Sequence, residues 1–284
     1  MRSLFGSPKL PRCAAALAGA AIFLAAPARA ELYPLWEAGA GLTVLQFPYY
    51  RGSDQSDRYV FPVPYVVYRG PFLKVDRQKV RGLFFESDYG ELDVSINGSP
   101  PVRSRDIRAR EGMPDLDGAF EIGPSANIFL AHSDDGHRRL DLRLPLRKVF
   151  FTDLKHIENG GWLAQPQVAL DYSAGPRRWN FGLTAGVLFG DARYHDYFYG
   201  VDSIYARPDR PAYQAHGGYA GAQLIASLSK RFEKFWFGSF VKYDNLAGAD
   251  FDDSPLVRTR DAYSGGVAVT WVFAQSEELV EADQ

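Results

Sequence analysis

Five histidines, His132, His137, His156, His195 and His216, are the side chains best suited to acid–base or nucleophilic chemistry in this 284-residue chain. A hydrolytic triad needs a serine within hydrogen-bond reach of a histidine that a third group orients. Ser133 beside His132 is the nearest hint, and adjacency in sequence does not supply that geometry. All five lie in or beside predicted turns and loops, where a solvated imidazole is the expected state. Asp134-Asp135 and Asp250-Phe251-Asp252-Asp253 offer oxygen ligands for a hard cation, but neither has the spacing of a calcium loop. No phosphate-binding loop, dinucleotide fingerprint or His-Glu-x-x-His motif occurs. The pattern predicts no catalytic residue, no metal site, no cofactor and no enzyme activity.

The elements that would position any chemistry begin with an export signal. Arg2, Lys9 and Arg12 form a basic n-region, Cys13 to Pro27 is small and apolar, and Ala28-Arg29-Ala30 supplies a small-x-small cleavage pattern. Residues 1–30 are therefore read as a signal peptide. The chain has 32 basic and 34 acidic residues; loss of Arg2, Lys9, Arg12 and Arg29 leaves 28 against 34, a net charge of -6. That balance argues against a nucleic-acid partner. Cys13 is the only cysteine, so disulfides and thiol chemistry are excluded from the mature chain. Beyond residue 30 no apolar run approaches the roughly 18 residues of a membrane-spanning helix.

Period-2 alternation dominates what remains. Between Arg139 and Arg147 every even position is Leu and every odd one is charged or Pro. Trp162, Ala164, Pro166, Val168, Leu170 and Tyr172 share one face, as do Trp179, Phe181, Leu183, Ala185, Val187 and Phe189, and then Tyr263, Gly265, Val267, Val269, Trp271 and Phe273. Aromatic ends with aliphatics between them match the girdles and apolar belt of a membrane barrel. The segments are also longer than the roughly 5–6 residues usual in globular strands, and their opposite faces are polar. The expected fold is all-β, a transmembrane antiparallel β-barrel of the bacterial outer-membrane type. Strands are expected near 35–47, 59–68, 72–76, 80–87, 91–97, 117–131, 138–151, 161–174, 178–190, 217–231, 235–246 and 262–273. That makes twelve, with ten left open by the short segments at 69–97. The domain reading is a signal peptide 1–30, a barrel 31–273 and a short acidic periplasmic tail 274–284. Long loops, 48–58, 98–116, 152–160, 191–216 and 247–261, fall at the outer end with a tight one at 77–79, and short turns at the periplasmic end.

Alternation then selects candidate site residues. Asp141, Arg143, Arg147, Gln165, Gln167 and Asp171 are expected to line the lumen. Loop 191–216 carries Tyr194, Tyr197, Phe198, Tyr199, Tyr205 and Tyr213, and so many rings gain mainly by burial. It is expected to fold over or into the barrel mouth, as a plug or as a ligand-binding lid.

Three segments resemble those of the MipA/OmpV family of outer-membrane proteins. They are Pro48-Tyr49-Tyr50-Arg51-Gly52-Ser53-Asp54; Tyr197-Phe198-Tyr199-Gly200-Val201 with Tyr205-Ala206, Tyr213-Gln214-Ala215 and Gly217-Gly218; and Asp253-Ser254-Pro255-Leu256-Val257-Arg258. The departures are the acidic tail after Phe273 and the segment 102–111, with Arg103, Arg105, Arg108 and Arg110. The resemblance implies a barrel without known enzymatic activity. In one branch it serves as a scaffold between a murein-degrading transglycosylase and a penicillin-binding protein, and in others it is a surface antigen or adhesion-related protein. Tyr50, Asp54, Tyr197, Tyr199, Arg258 and Arg260 are the candidates for a network at the mouth. Two functions follow: a non-enzymatic envelope scaffold in the outer membrane, among its lipids and lipopolysaccharide, or a passive narrow channel for small solutes.

Overall fold

A segment that is apolar at every second residue can wet one face and hide the other only as a strand. The computed structural model describes residues 32–70, 73–75, 80–82, 85–133, 135–173, 175 and 178–281; the predicted signal segment and the tight turn at 77–79 lie outside them. In chain order the strands are β1 (Leu32–Pro34), β2 (Trp36–Pro48), β3 (Ser56–Arg69), β4 (Leu73–Val75), β5 (Val80–Gly82), β6 (Phe85–Ser87), β7 (Gly90–Ser99), β8 (Gly118–His132), β9 (Arg138–Thr152) and β10 (Ile157–Ala164). They continue with β11 (Gln167–Ser173), β12 (Trp179–Gly190), β13 (Gly218–Arg231), β14 (Phe235–Asn245), β15 (Asp261–Gln275) and β16 (Leu279–Glu281). A single α-helix among the described residues, α1 (Ala192–Tyr199), follows β12. No described helix is long and apolar enough to cross a membrane.

Fourteen strands form one antiparallel sheet in the order β5-β4-β3-β2-β15-β14-β13-β12-β10-β9-β8-β7-β6, with β11 also between β9 and β12. Its two ends, β5 and β6, are consecutive in the chain, and β5 lies against β7, so the sheet curls into a ring. Closure removes the free edges that an open sheet would expose to lipid. β10 and β11 are two halves of one stave. Pro166 has no N–H to give the ladder, yet Gln165 N–H still donates to Pro145 O at 3.1 Å and Val187 N–H to Pro166 O at 3.1 Å. Counting β5 with β6 and β10 with β11 gives twelve staves among the described residues. The staves reach further out than expected: β3 starts at Ser56, and β10 at Ile157, where it pairs with β9 through a bulge at Asn159/Gly161.

The outer surface carries the apolar half of each stave. Leu42, Val60, Leu144, Leu146, Val168, Leu170, Phe181, Val269, Trp271 and Phe273 all stand exposed. An apolar surface this continuous is stable only against lipid. Lys148 lies over the Trp162 ring at 5.0 Å and Lys230 over Trp179 at 5.3 Å, pairing a basic head with a girdle aromatic. The hydrophobic core sits neither on this wall nor at mid-lumen. Its larger cluster lies at one end, where four loops meet, and a smaller one, Tyr65, Val67 and Val272 with Trp236 against them, lies towards the other.

Candidate functional site

The middle of the lumen is polar and internally paired. Asp141 lies in ion-pair contact with Arg139 at 3.0 Å and accepts from Arg143 at 3.2 Å, and Arg143 also bonds Asp171 across the ladder. Arg147 pairs with Glu121 at 2.7 Å and donates to Gln165 at 2.5 Å and Ser95 at 3.2 Å; Gln165 in turn donates to Gln167 at 3.3 Å. The six predicted lumen residues thus fall into two linked groups. Residues missed from the sequence add to them: Glu121 on β8 and Ser95 on β7 belong to the Arg147 group, while Ser125 and Asn127 on β8 and Glu91 and Asp93 on β7 form a third, with Asn127 donating to Glu91 and Asp93 at 3.0 Å each. Those on each strand keep to alternate positions, with Gly123 filling the gap on β8, so the alternation applied to β9 would have found them.

At the end that carries the long loops, rings replace charge. The residues 191–217 begin with α1, capped by Asp191, whose Oδ1 accepts Tyr194 N–H at 2.9 Å. Its i, i+4 pair His195 and Tyr199 faces inward and is buried. Tyr199 stacks on Phe251 with centroids 3.6 Å apart, and Phe151 stacks on Tyr197 at 3.5 Å. Around them Val102, Ile107 and Leu116 from the loop after β7, and Leu246, Phe251 and Leu256 from the loop after β14, close one core. Burial pushes the Tyr197 hydroxyl up to about 12, and also raises Tyr50, Tyr194 and Tyr199. All four phenols therefore stay neutral at physiological pH.

The three segments that resembled a family are bound to one another here. Tyr50 Oη donates to Leu256 O at 2.7 Å, Tyr199 Oη to Arg51 O at 2.9 Å, and Ser254 Oγ to Tyr199 O at 2.7 Å. Gly52, at φ +96, turns its carbonyl to accept from Arg258 N–H at 2.7 Å and Thr259 N–H at 3.1 Å. Two buried arginines tie the loop after β7 to that after β12 in both directions. Arg110 donates to Phe198 O at 3.0 Å, and Arg210 donates to Ala109 O at 2.9 Å and Glu111 O at 3.0 Å. The arginine-rich segment 102–111 thus supplies one of the two staples.

The six mouth candidates do not form a single network. Tyr50, Tyr197 and Tyr199 work within the packed layer, and Tyr197 Oη accepts Asp117 N–H at 2.7 Å. Asp54 pairs with Arg108 at 3.0 Å rather than with Arg258, and Arg260 pairs with Asp252 at 3.2 Å. Charged groups stay at the rim because four loops fill the centre with apolar side chains. His195 is a second correction: it is fully buried rather than solvated, because the inner face of α1 carries it into the core. Its Nδ1 donates to His216 O at 2.6 Å, while Nε2 has no hydrogen-bond partner among the described residues. Burial pushes its pKa down, partly opposed by the His216 carbonyl. Gly190 makes room for it, since a Cβ there would lie 2.4 Å from Nε2.

At the opposite end the first and last described strands meet. β1 pairs with β16, Leu35 N–H donates to Glu278 O at 2.9 Å, and Ser276 N–H to Trp36 O at 2.9 Å. Just above, Glu37 accepts from Arg69 and Arg231 at 2.9 Å each. The acidic tail is therefore partly structured: β15 runs on to Gln275, and 279–281 form a strand.

A closed antiparallel ring, wet inside and apolar outside, is a transmembrane β-barrel of the bacterial outer-membrane type. The family model described as MltA-interacting protein MipA matches residues 40–273, and the chain belongs to this family. Among solved structures it is similar to a bacterial polysaccharide outer membrane secretin, at 8% identity and a TM-score of 0.41, covering 84% of this chain and 99% of that one. It is also similar to the outer-membrane expressed OmpT of Vibrio cholerae, at 10% identity, TM-score 0.29 and coverage of 84% and 97%. A third is the Pseudomonas putida toluene transporter TodX, at 10% identity, TM-score 0.25 and coverage of 85% and 68%. No curated protein matches the chain.

Proposed function

We propose that the protein is a non-enzymatic scaffold of the outer membrane, sealed on its outer face, that engages murein enzymes from its periplasmic end. What supports this reading is that all three family segments are bonded to one another at one mouth, through Tyr50–Leu256, Tyr199–Arg51 and Ser254–Tyr199. A mouth built this way favours closure over solute passage. The family description names an interaction with MltA, which supports a murein transglycosylase as partner. The periplasmic turns are short, and an ordinary interface buries about 800 Å² per side. The β1–β16 clasp adds the surface those turns lack.

The test is capture of a purified murein transglycosylase by the barrel in uncharged detergent. Saturable binding that weakens when the chain is cut after Gln275 is the expected result, and absence of binding overturns the scaffold reading. Planar-bilayer recording addresses the alternative: a silent barrel is expected, and regular conductance steps would establish a channel.

A further inference from the structure

A crevice of about 290 Å³ opens on the outer face where the four capping loops meet, lined by Asp54, Arg108, Ala109, Arg207, Asp209, Arg210, Pro255 and Arg258. Its size lies at the lower edge of the roughly 300–1,000 Å³ usual for small-molecule sites. Four guanidinium groups face two carboxylates, an excess of two positive charges.

The pairing inside it is uneven. Asp54 is taken by Arg108 at 3.0 Å. Arg207 has only long contacts, 3.8 Å to Asp209 and 3.9 Å to Glu111, and its buried Nε has no hydrogen-bond partner among the described residues. Those separations are too great for hydrogen bonds. Arg210 spends its donors on the carbonyls of Tyr205, Ala109 and Glu111, which hold it in place without neutralising it. Burial, and then the charge of Arg207, push its pKa below the ordinary value. The exposed Arg258 side chain makes no hydrogen bond or ion pair among the described residues, although its backbone is anchored to Gly52. The tight turn from Arg207 to Arg210, with N–H to O bonds of 2.8 and 2.9 Å in the two directions, presents two of the four groups on a rigid support.

We propose that this crevice binds a phosphate group, either free in solution or carried on a saccharide of the outer leaflet. Guanidinium forks match the geometry of phosphate oxygens, and charge-assisted bonds to them are the strong ones. Arg207 and Arg258 are the recognising residues, and Arg210 adds fixed positive charge from below.

The test is isothermal titration calorimetry on the full chain in uncharged detergent. The three probes are inorganic phosphate, phosphate-bearing lipopolysaccharide, and the same lipopolysaccharide after phosphatase treatment. Binding of either phosphate-bearing probe, but not of the dephosphorylated one, is expected. Arg258→Gln should weaken it about tenfold, and adding Arg207→Gln should weaken it further. Arg260→Gln, outside the crevice, should leave it unchanged. Binding of inorganic phosphate itself assigns the site to a free solute, and binding of lipopolysaccharide alone assigns it to the membrane surface. No heat from any probe, equal affinity for the dephosphorylated form, or undiminished binding by the double variant overturns the proposal. Arg258→Gln should fold normally by gel heat-modifiability, since that side chain supports no other residue, so its result stands even if Arg207→Gln disturbs the cap.

Discussion

The lumen and the cap share the same staves, a few residues apart, and are held together by opposite means. On the inner face of β9, Asp141, Arg143 and Arg147 are followed by Val149 and Phe151, so one face changes from charged to apolar within two residues. Below that point the inner surface is bonded through Arg147–Glu121 and Arg143–Asp171; above it, through Phe151–Tyr197 and Tyr199–Phe251 stacking. Ion pairs serve where water and other polar groups can share the charge. Rings serve where loops descend and exclude water. What a stave's inner face carries therefore reflects what lies opposite it, loop or lumen.

The largest expected break falls in the cap. Phe251→Ala should cost the cap about 3–5 kcal/mol, as for other buried aromatics. Proteases should then cut within 191–217 while the barrel still shifts on a heat-modifiability gel; unchanged resistance would mean the cap does not depend on that ring. Next comes the wall both regions share. Leu144→Arg should cost about 2–4 kcal/mol near the bilayer midplane, read from urea unfolding of the refolded barrel in lipid vesicles. Normal stability would contradict its placement against lipid.

Arg147→Ala should be milder, about 1–3 kcal/mol, because a polar lumen can partly rehydrate Glu121. It should leave protease resistance at 191–217 intact; a cap that loosened with it would show that the two regions are one unit. The smallest effect is a pH dependence. His195 is held neutral by burial, so its contribution is complete above its ordinary pKa of 6.5 and is lost as pH falls towards the lowered folded value. Asp191 and Asp250 favour the charged form and Arg51 opposes it. Acid should therefore increase cutting in the cap, and His195→Gln should flatten that response.

The staves were legible because lipid imposes a strict period of two on one face, and alternation at 139–147, 162–172, 179–189 and 263–273 carried it openly. The cap's position was legible only in outline, from an excess of rings at 191–216. Its contacts were not, since Tyr50 and Leu256 are 206 residues apart and meet through a backbone carbonyl that carries no trace in sequence. Burial of His195 was missed for a related reason: one turn of helix decides which side of a loop faces inward.

Alternation by itself determined which residues touch lipid, because that choice depends only on a strand's two faces. The tertiary structure decided which loops pack together at the mouth, which arginine meets which carboxylate, and which remain without one. Those outcomes depend on where four separate loops converge, and loop convergence is set by packing in space rather than by any local period.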